Sequence, residues 1–173
     1  MSWDDFEKKM KGGAFISLKE GQDITGVFRG EPVVFYSMYD ENSKTSVKKP
    51  EYFEINGKAA APRFSINFVV KDTDGNLVAK IFENSKTTAV TLKECKKEYG
   101  LDCLFKIKRV GAGKETKYPI LFKDRLNKEQ LAALEGVKLH DLTVTEKGED
   151  PVYDEFPTSA EDLRKRTTDD IPF

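Results

Sequence analysis

The stretch "GQDITGVFRGEPVVFYSMY" (21–39) constrains the fold more than any other. β-Branched and aromatic residues dominate it, which is strand composition. Gly26 and Gly30 lie inside it. Glycine within a long strand marks a bulge or a sharp bend, as a strand needs when its sheet curls on itself. "RFSINFVVKDTDGNLVAKIFE" (63–83) supplies a hairpin to go with it. Phe64, Ile66, Phe68 and Val70 alternate with Ser65 and Asn67, Asp74-Gly75 forms the turn, and Leu77, Ala79 and Ile81 share one face of the return strand.

The pattern then changes period. "NSKTTAVTLKECKKEYG" (84–100) reads as one helix, with Ser85 or Thr88 able to cap it and Gly100 closing it. "LDCLFKIKRVGAGKETKYPILFK" (101–123) reads as two strands around a Gly-rich connection, and "NKEQLAALEG" (127–136) as a helix. Asn127 caps that helix, Leu131 and Leu134 face the core, and Gly136 ends it. A short helix is expected at 2–10, where Trp3, Phe6 and Met10 share a face before Gly12 and Gly13. Residues 40–62 are loop-rich, with a short strand at Tyr52–Ile55. After about residue 146 periodicity fades among acids, Pro151, Pro157 and Pro172, the composition of a disordered tail.

The chain is therefore expected to be mainly β, with three strands, a helix and two more strands. That is the order of the OB-fold, a five-stranded Greek-key barrel that binds oligonucleotides. The additional helix near 127–135 and the acidic tail follow. A generic α+β domain with a mixed sheet is the alternative. The expected division is a domain over 1–145 and a tail over 146–173.

Charge divides along the same line. Residues 1–123 hold 22 Lys+Arg against 17 Asp+Glu, a net +5, while 124–173 hold 7 against 13, a net −6. A basic body with an acidic tail points to a polyanion partner for the body and a separate role for the tail. No apolar run approaches the ~18 residues that span a membrane. The N-terminus has no apolar signal region, so a cytoplasmic protein without membrane partners is expected. Cys95, Cys103 and His140 are the only residues of their types, and the two cysteines at C-x7-C spacing with one distant histidine make a poor zinc set.

Enzyme signatures are weak throughout. "GAGKET" (111–116) fails as a phosphate loop: Lys108 stands where its first glycine belongs, Glu115 where Ser or Thr should follow Lys114, and a strand rather than a helix comes next. Asp72 and Asp74 sit in a turn, where Asp bonds the local backbone. The chain reads as a non-enzyme without a cofactor, and a Mg²⁺-dependent nuclease built on Asp72 and Asp74 is the lesser alternative.

What remains is basic residues interleaved with aromatics. In "FKIKRV" (105–110), Phe105 and Ile107 face one way and Lys106 and Lys108 the other. Tyr118, Ile120 and Phe122 alternate with Lys117 and Lys123, beyond a loop carrying Lys114. The region 34–63 adds Tyr36, Tyr39, Lys44, Lys48, Lys49, Tyr52, Phe53, Lys58 and Arg63. Phe64, Phe68, Phe105 and Phe122 are assigned to the core; Tyr36, Tyr39, Tyr52, Phe53 and Tyr118 are assigned to the surface. A basic groove that follows phosphates, with aromatic faces that stack bases, is what a single-strand binder needs.

The chain closes on "DDIPF", Asp169, Asp170, Ile171, Pro172 and Phe173. Residue for residue this resembles the acidic C-terminal tip of bacterial single-stranded-DNA-binding proteins, which recruits replication and repair proteins. The whole plan, with its divergent body, is similar to phage-encoded single-stranded-DNA-binding proteins. The resemblance implies coating of single-stranded DNA without strong sequence preference, as a monomer or homodimer, in the host cytoplasm if phage-encoded. It also implies recruitment of replication or recombination proteins through the tip. A pocket with an apolar floor and a basic rim would suit Phe173, its terminal carboxylate and the two aspartates, with Pro172 limiting the freedom lost on docking. An OB-fold accessory adaptor with little DNA affinity is the other alternative.

Overall fold

A computed structural model describes residues 13–144. The expected helix at 2–10 and the acidic tail at 146–173, with its terminal tip, lie outside the described residues.

The chain is mainly β. Its elements run β1 (Asp23–Asp40), β2 (Thr45–Lys49), β3 (Glu54–Ile55), β4 (Lys58–Ala59), β5 (Ala61–Lys71), β6 (Leu77–Ser85), α1 (Lys86–Tyr99), β7 (Cys103–Lys108), β8 (Ile120–Arg125) and α2 (Lys128–Glu135). Three long strands, a helix, two strands and a last helix thus follow the expected order. A short strand was expected at Tyr52–Ile55, and β3 takes its last two residues; β2 and β4 were not expected. β2 folds back on β1, and β3–β4 is a hairpin turned by Asn56 and Gly57, whose φ of 52° and 78° are those of a primed turn.

β1 is the organising strand. It pairs with β7 over Asp23–Gly26, with β5 from Val27 to Ser37, and with β2 from Tyr36 onward. Changing partners requires a bend, and the glycines provide it. Gly30 has φ 77°, inside a register shift where the four steps from Arg29 to Val33 face only two on β5, from Asn67 to Ser65. At Gly26 a Cβ would lie 2.3 Å from the Val69 carbonyl oxygen, so only glycine allows β1 to approach β5 this closely.

The main sheet has six strands, in the order β6-β5-β1-β7-β8 with β2 added on β1. A closed five-stranded barrel was expected; no closed barrel is found, and among the described residues β6 and β8 share no ladder. The edge of β6 is engaged elsewhere. Ile81 N–H donates to Ala14 O (2.7 Å), and Ile16 N–H donates to Ile81 O (2.9 Å), so an N-terminal segment runs parallel along it.

Both faces of β5 are buried, beneath different layers. Phe64, Ile66, Phe68 and Val70 join Phe28, Phe82, Phe105, Ile107 and Leu92 of α1 in the larger core. Val69 packs on the opposite face with Val27, Leu77, Ala79, Leu104 and Leu134 of α2. Asn67 lies on that second face. Its Nδ2 donates to His140 O (3.1 Å) and its Oδ1 accepts from His140 N–H (2.9 Å), so one side chain satisfies the backbone of the covering segment.

Helix ends follow the expected chemistry with one change. Asn127 and Gln130 form a reciprocal capping box on α2 (2.8 and 2.9 Å). At α1, Ser85 holds the cap position without a side-chain bond, and Thr88 lies inside the helix. Asn84 Oδ1 accepts from Ser85 N–H and Thr88 Oγ1 instead (2.8 and 2.9 Å). Phe64, Phe68 and Phe105 are core residues as expected, but Phe122 is not. Beyond the register shift between Leu104 and Phe105, its ring stacks on Tyr99 at 4.5 Å and remains 36% exposed.

Candidate nucleic-acid interface

Strand alternation places the candidates of β1 and β2 on two faces of one hairpin. On the first face Tyr36 lies opposite Lys49, the Tyr52 ring meets the Tyr36 ring edge-on at 5.9 Å, and Lys49 Nζ sits 5.1 Å above the Phe53 ring. Four of the expected residues therefore form one aromatic and cationic cluster. Tyr52 is 56% exposed, whereas Phe53 is half-buried. The Tyr52 hydroxyl donates to Glu54 at 2.5 Å, and this bond to a carboxylate raises its pKa, so the phenol stays neutral.

The second face carries Tyr39, 58% exposed, opposite Ser46. Lys48 is on this face, opposite Ser37, and is engaged: its Nζ donates to Glu83 at 2.9 Å and lies over the rings of Phe15 and Phe35 at 5.2 and 5.5 Å. Arg63 Nε is 3.5 Å from the same carboxylate. Lys48 thus ties β2 to Glu83 on β6, and Arg63 of β5 shares the same carboxylate, so neither cation faces solvent unpaired. Lys44 is exposed at the β1–β2 turn with φ 55°. Lys58 is 3.7 Å from Glu41, an exposed pair of about 0–1 kcal/mol that a phosphate can displace.

The β7–β8 candidates divide again. Lys106 is half-buried opposite Thr25 and Leu121, and Lys108 is exposed opposite Asp23. Neither lines the cavity formed by the loop that holds the others. That loop is a hairpin connection: Val110 and Lys117 exchange backbone bonds (2.9 and 2.8 Å), and a single 3-10 turn spans Gly113–Glu115. No helix follows it, consistent with rejecting the phosphate-loop reading. Lys114, Lys117 and Tyr118 line a cavity of about 750 Å³ shared with Ser85, Thr87 and Thr91 of the α1 end. Tyr118 differs from expectation, because its half-buried ring packs edge-on against Phe82 at 6.5 Å.

Sequence reasoning missed Arg109 and the hydroxyls around α1. Arg109 Nη1 donates to Leu18 O at 2.7 Å, and its buried Nε has no partner among the described residues. Arg109 lines a small crevice with Glu83, Asn84 and Tyr118, of which Asn84 and Tyr118 also line the larger cavity. "FKIKRV" contained the signal, since a cation follows the alternating lysines.

The remaining titratable groups have structural roles. Burial raises the pKa of Cys95 and Cys103, leaving both as thiols. Burial lowers that of His140, whose neutral ring places Nε2 2.9 Å from Ala79 O. Asp72 Oδ1 accepts from Asp74 N–H and Asn76 N–H (2.9 and 2.8 Å), the expected turn bonding. Among the described residues no group of three or more His, Cys, Asp or Glu side chains is arranged to hold a metal. None of the helices among them is long and apolar enough to cross a membrane.

No protein-family model, curated protein or solved structure matches the chain.

Proposed function

We propose that residues 13–144 form an OB-type domain that binds single-stranded DNA without strong sequence preference, and that Asp169–Phe173 recruits replication or recombination proteins. The observation that carries this reading is the β1–β2 hairpin. One face carries Tyr36 and Lys49, with Tyr52 from the loop after β2, 56% exposed, against Tyr36; the other face carries Tyr39, 58% exposed, and Lys44 stands at the turn. Exposed rings beside cations are what base stacking and phosphate tracking require. The element order supports the OB-type assignment, as does the β1 bend. The tip's resemblance to bacterial single-stranded-DNA-binding proteins, and the whole plan's to phage-encoded ones, supports the recruiting role.

A fluorescence titration with oligo-dT at two or more salt concentrations tests the binding. Contact with about four phosphates gives a log–log slope near −3, since single strands contribute roughly −0.7 per contact. A flat salt response, or equal affinity for duplex, rejects this surface. Absence of oligonucleotide binding at low salt leaves the accessory-adaptor reading.

A further inference from the structure

Two acids near the β1–β2 turn are engaged locally. Asp40 accepts from Asn42 N–H and from the Ser43 hydroxyl, at 3.0 Å each, and Glu41 lies 3.7 Å from Lys58. Glu54 is different. It is exposed and belongs to no ion pair among the described residues. Its carboxylate instead accepts the hydroxyl of Tyr52, the exposed ring on the face that carries Tyr36 and Lys49. Both partners are held in place. Tyr52 meets Tyr36 edge-on at 5.9 Å, and Glu54 is fixed in β3 by its pairing with Ala59 of β4. The bond therefore keeps a carboxylate at the rim of a ring that is free to stack.

A carboxylate at this rim repels the phosphates of a bound strand but attracts donors on the edge of a base stacked on the ring. It is an acceptor only, with about four lone-pair sites on its two oxygens, so the Tyr52 hydroxyl leaves sites for a second partner. Guanine alone presents two adjacent donors, N1–H and the N2 amino group, on its Watson–Crick edge. Adenine and cytosine each offer one amino group beside a ring-nitrogen acceptor, and thymine N3–H is flanked by two carbonyl oxygens that a carboxylate repels.

We propose that Glu54 is a base-selecting residue, which favours guanine at the position stacked on Tyr52 by accepting both of its donors. The inference rests on the proposed single-strand binding and adds to it a modest bias at one base position. Because the pair is exposed to water, the discrimination lies toward the low end of bidentate base contacts, about fivefold.

The experiment is a titration of the full chain with three oligonucleotides of equal length: oligo-dT, d(TTG) repeats and d(TTI) repeats. Deoxyinosine keeps the purine ring and N1–H of guanine and lacks only the N2 amino group. Guanine repeats should bind tightest, by about fivefold over inosine repeats, and oligo-dT weakest. Glu54→Gln should bring the guanine-to-inosine ratio close to unity. Glu51→Gln removes the same charge at a neighbouring exposed position and should preserve the ratio, which separates base selection from general relief of phosphate repulsion. If Glu54 merely orients the Tyr52 ring, Glu54→Gln changes all three affinities in the same proportion, and that result overturns the proposal. A ratio near unity in the unsubstituted protein also overturns it, while leaving single-strand binding standing. Absence of binding to all three at low salt overturns both readings.

Discussion

Tyr39 and Tyr118 are both tyrosines among lysines, yet they have different surroundings. Tyr39 projects from the β1–β2 hairpin with no ring beside it among the described residues, whereas Tyr118 leans on Phe82 at the edge of the core. Alanine at Tyr39 or Tyr52 should weaken oligo-dT binding by about 1–3 kcal/mol if the ring stacks a base. The salt slope should not move, because no charge is removed. Tyr118→Ala should instead lower the unfolding midpoint, since the ring packs against buried apolar surface. Titration and denaturant melts on the same three variants separate these outcomes. Intact affinity in both Tyr39→Ala and Tyr52→Ala would move the binding surface away from the hairpin. Lys48 and Arg63 repeat the lesson for charge: composition marks them as phosphate ligands, but both are engaged by the one carboxylate of Glu83, which offsets one of their two charges.

At the scale of elements, the open seam between β6 and β8 depends on what occupies the β6 edge. The segment at Ala14–Ile16 uses both backbone groups of Ile81, and Ile16 and Leu18 pack against the larger core. An unpaired strand edge invites association with other chains. Ile16→Pro removes the donor to Ile81 O and should loosen this strap. The expected results are faster amide exchange at Ile81 and a lower unfolding midpoint, by about 1–3 kcal/mol for the lost bond and the disturbed packing. Unchanged exchange at Ile81 would mean that the strap contributes nothing to the edge. The alternation of β5 made its inward face readable at sequence level. The burial of Asn67 on its other face was not readable, because it depends on the segment around His140 folding back from more than seventy residues away.

For the molecule as a whole, that outer layer introduces a dependence on pH. His140 is buried and held neutral, its pKa lowered by burial. The unfolded chain, with an ordinary histidine pKa of about 6.5, therefore binds the proton more readily than the folded one. The stability associated with the neutral ring is present above that pH and is lost as pH falls through it. Unfolding midpoints measured from pH 7.5 to 5.5 should decline, and His140→Gln should flatten the decline while lowering the midpoint at pH 7.5. An equally steep decline in the variant would place the sensitivity elsewhere.

The sequence by itself determined the mainly β class, the order of the long strands and α1, the bend at Gly26 and Gly30, the Asn127 cap and the inward row of β5. Each follows from local rules: side-chain period, backbone freedom and cap chemistry act within a few residues. The same rules gave a strand ending at Ile55 and contained the primed turn at Asn56-Gly57 after it, but the two-residue return strand Lys58–Ala59 offers too little period to be noticed. Only the tertiary structure decided that β6 and β8 stay apart, that Phe122 faces outward, and which basic residues meet an acid and which remain exposed. Those outcomes depend on contacts between residues far apart in the chain. Ile81 is bonded by Ala14, Phe122 is displaced by a register shift, and Lys48 and Arg63 converge on Glu83, pairings that composition and spacing do not encode.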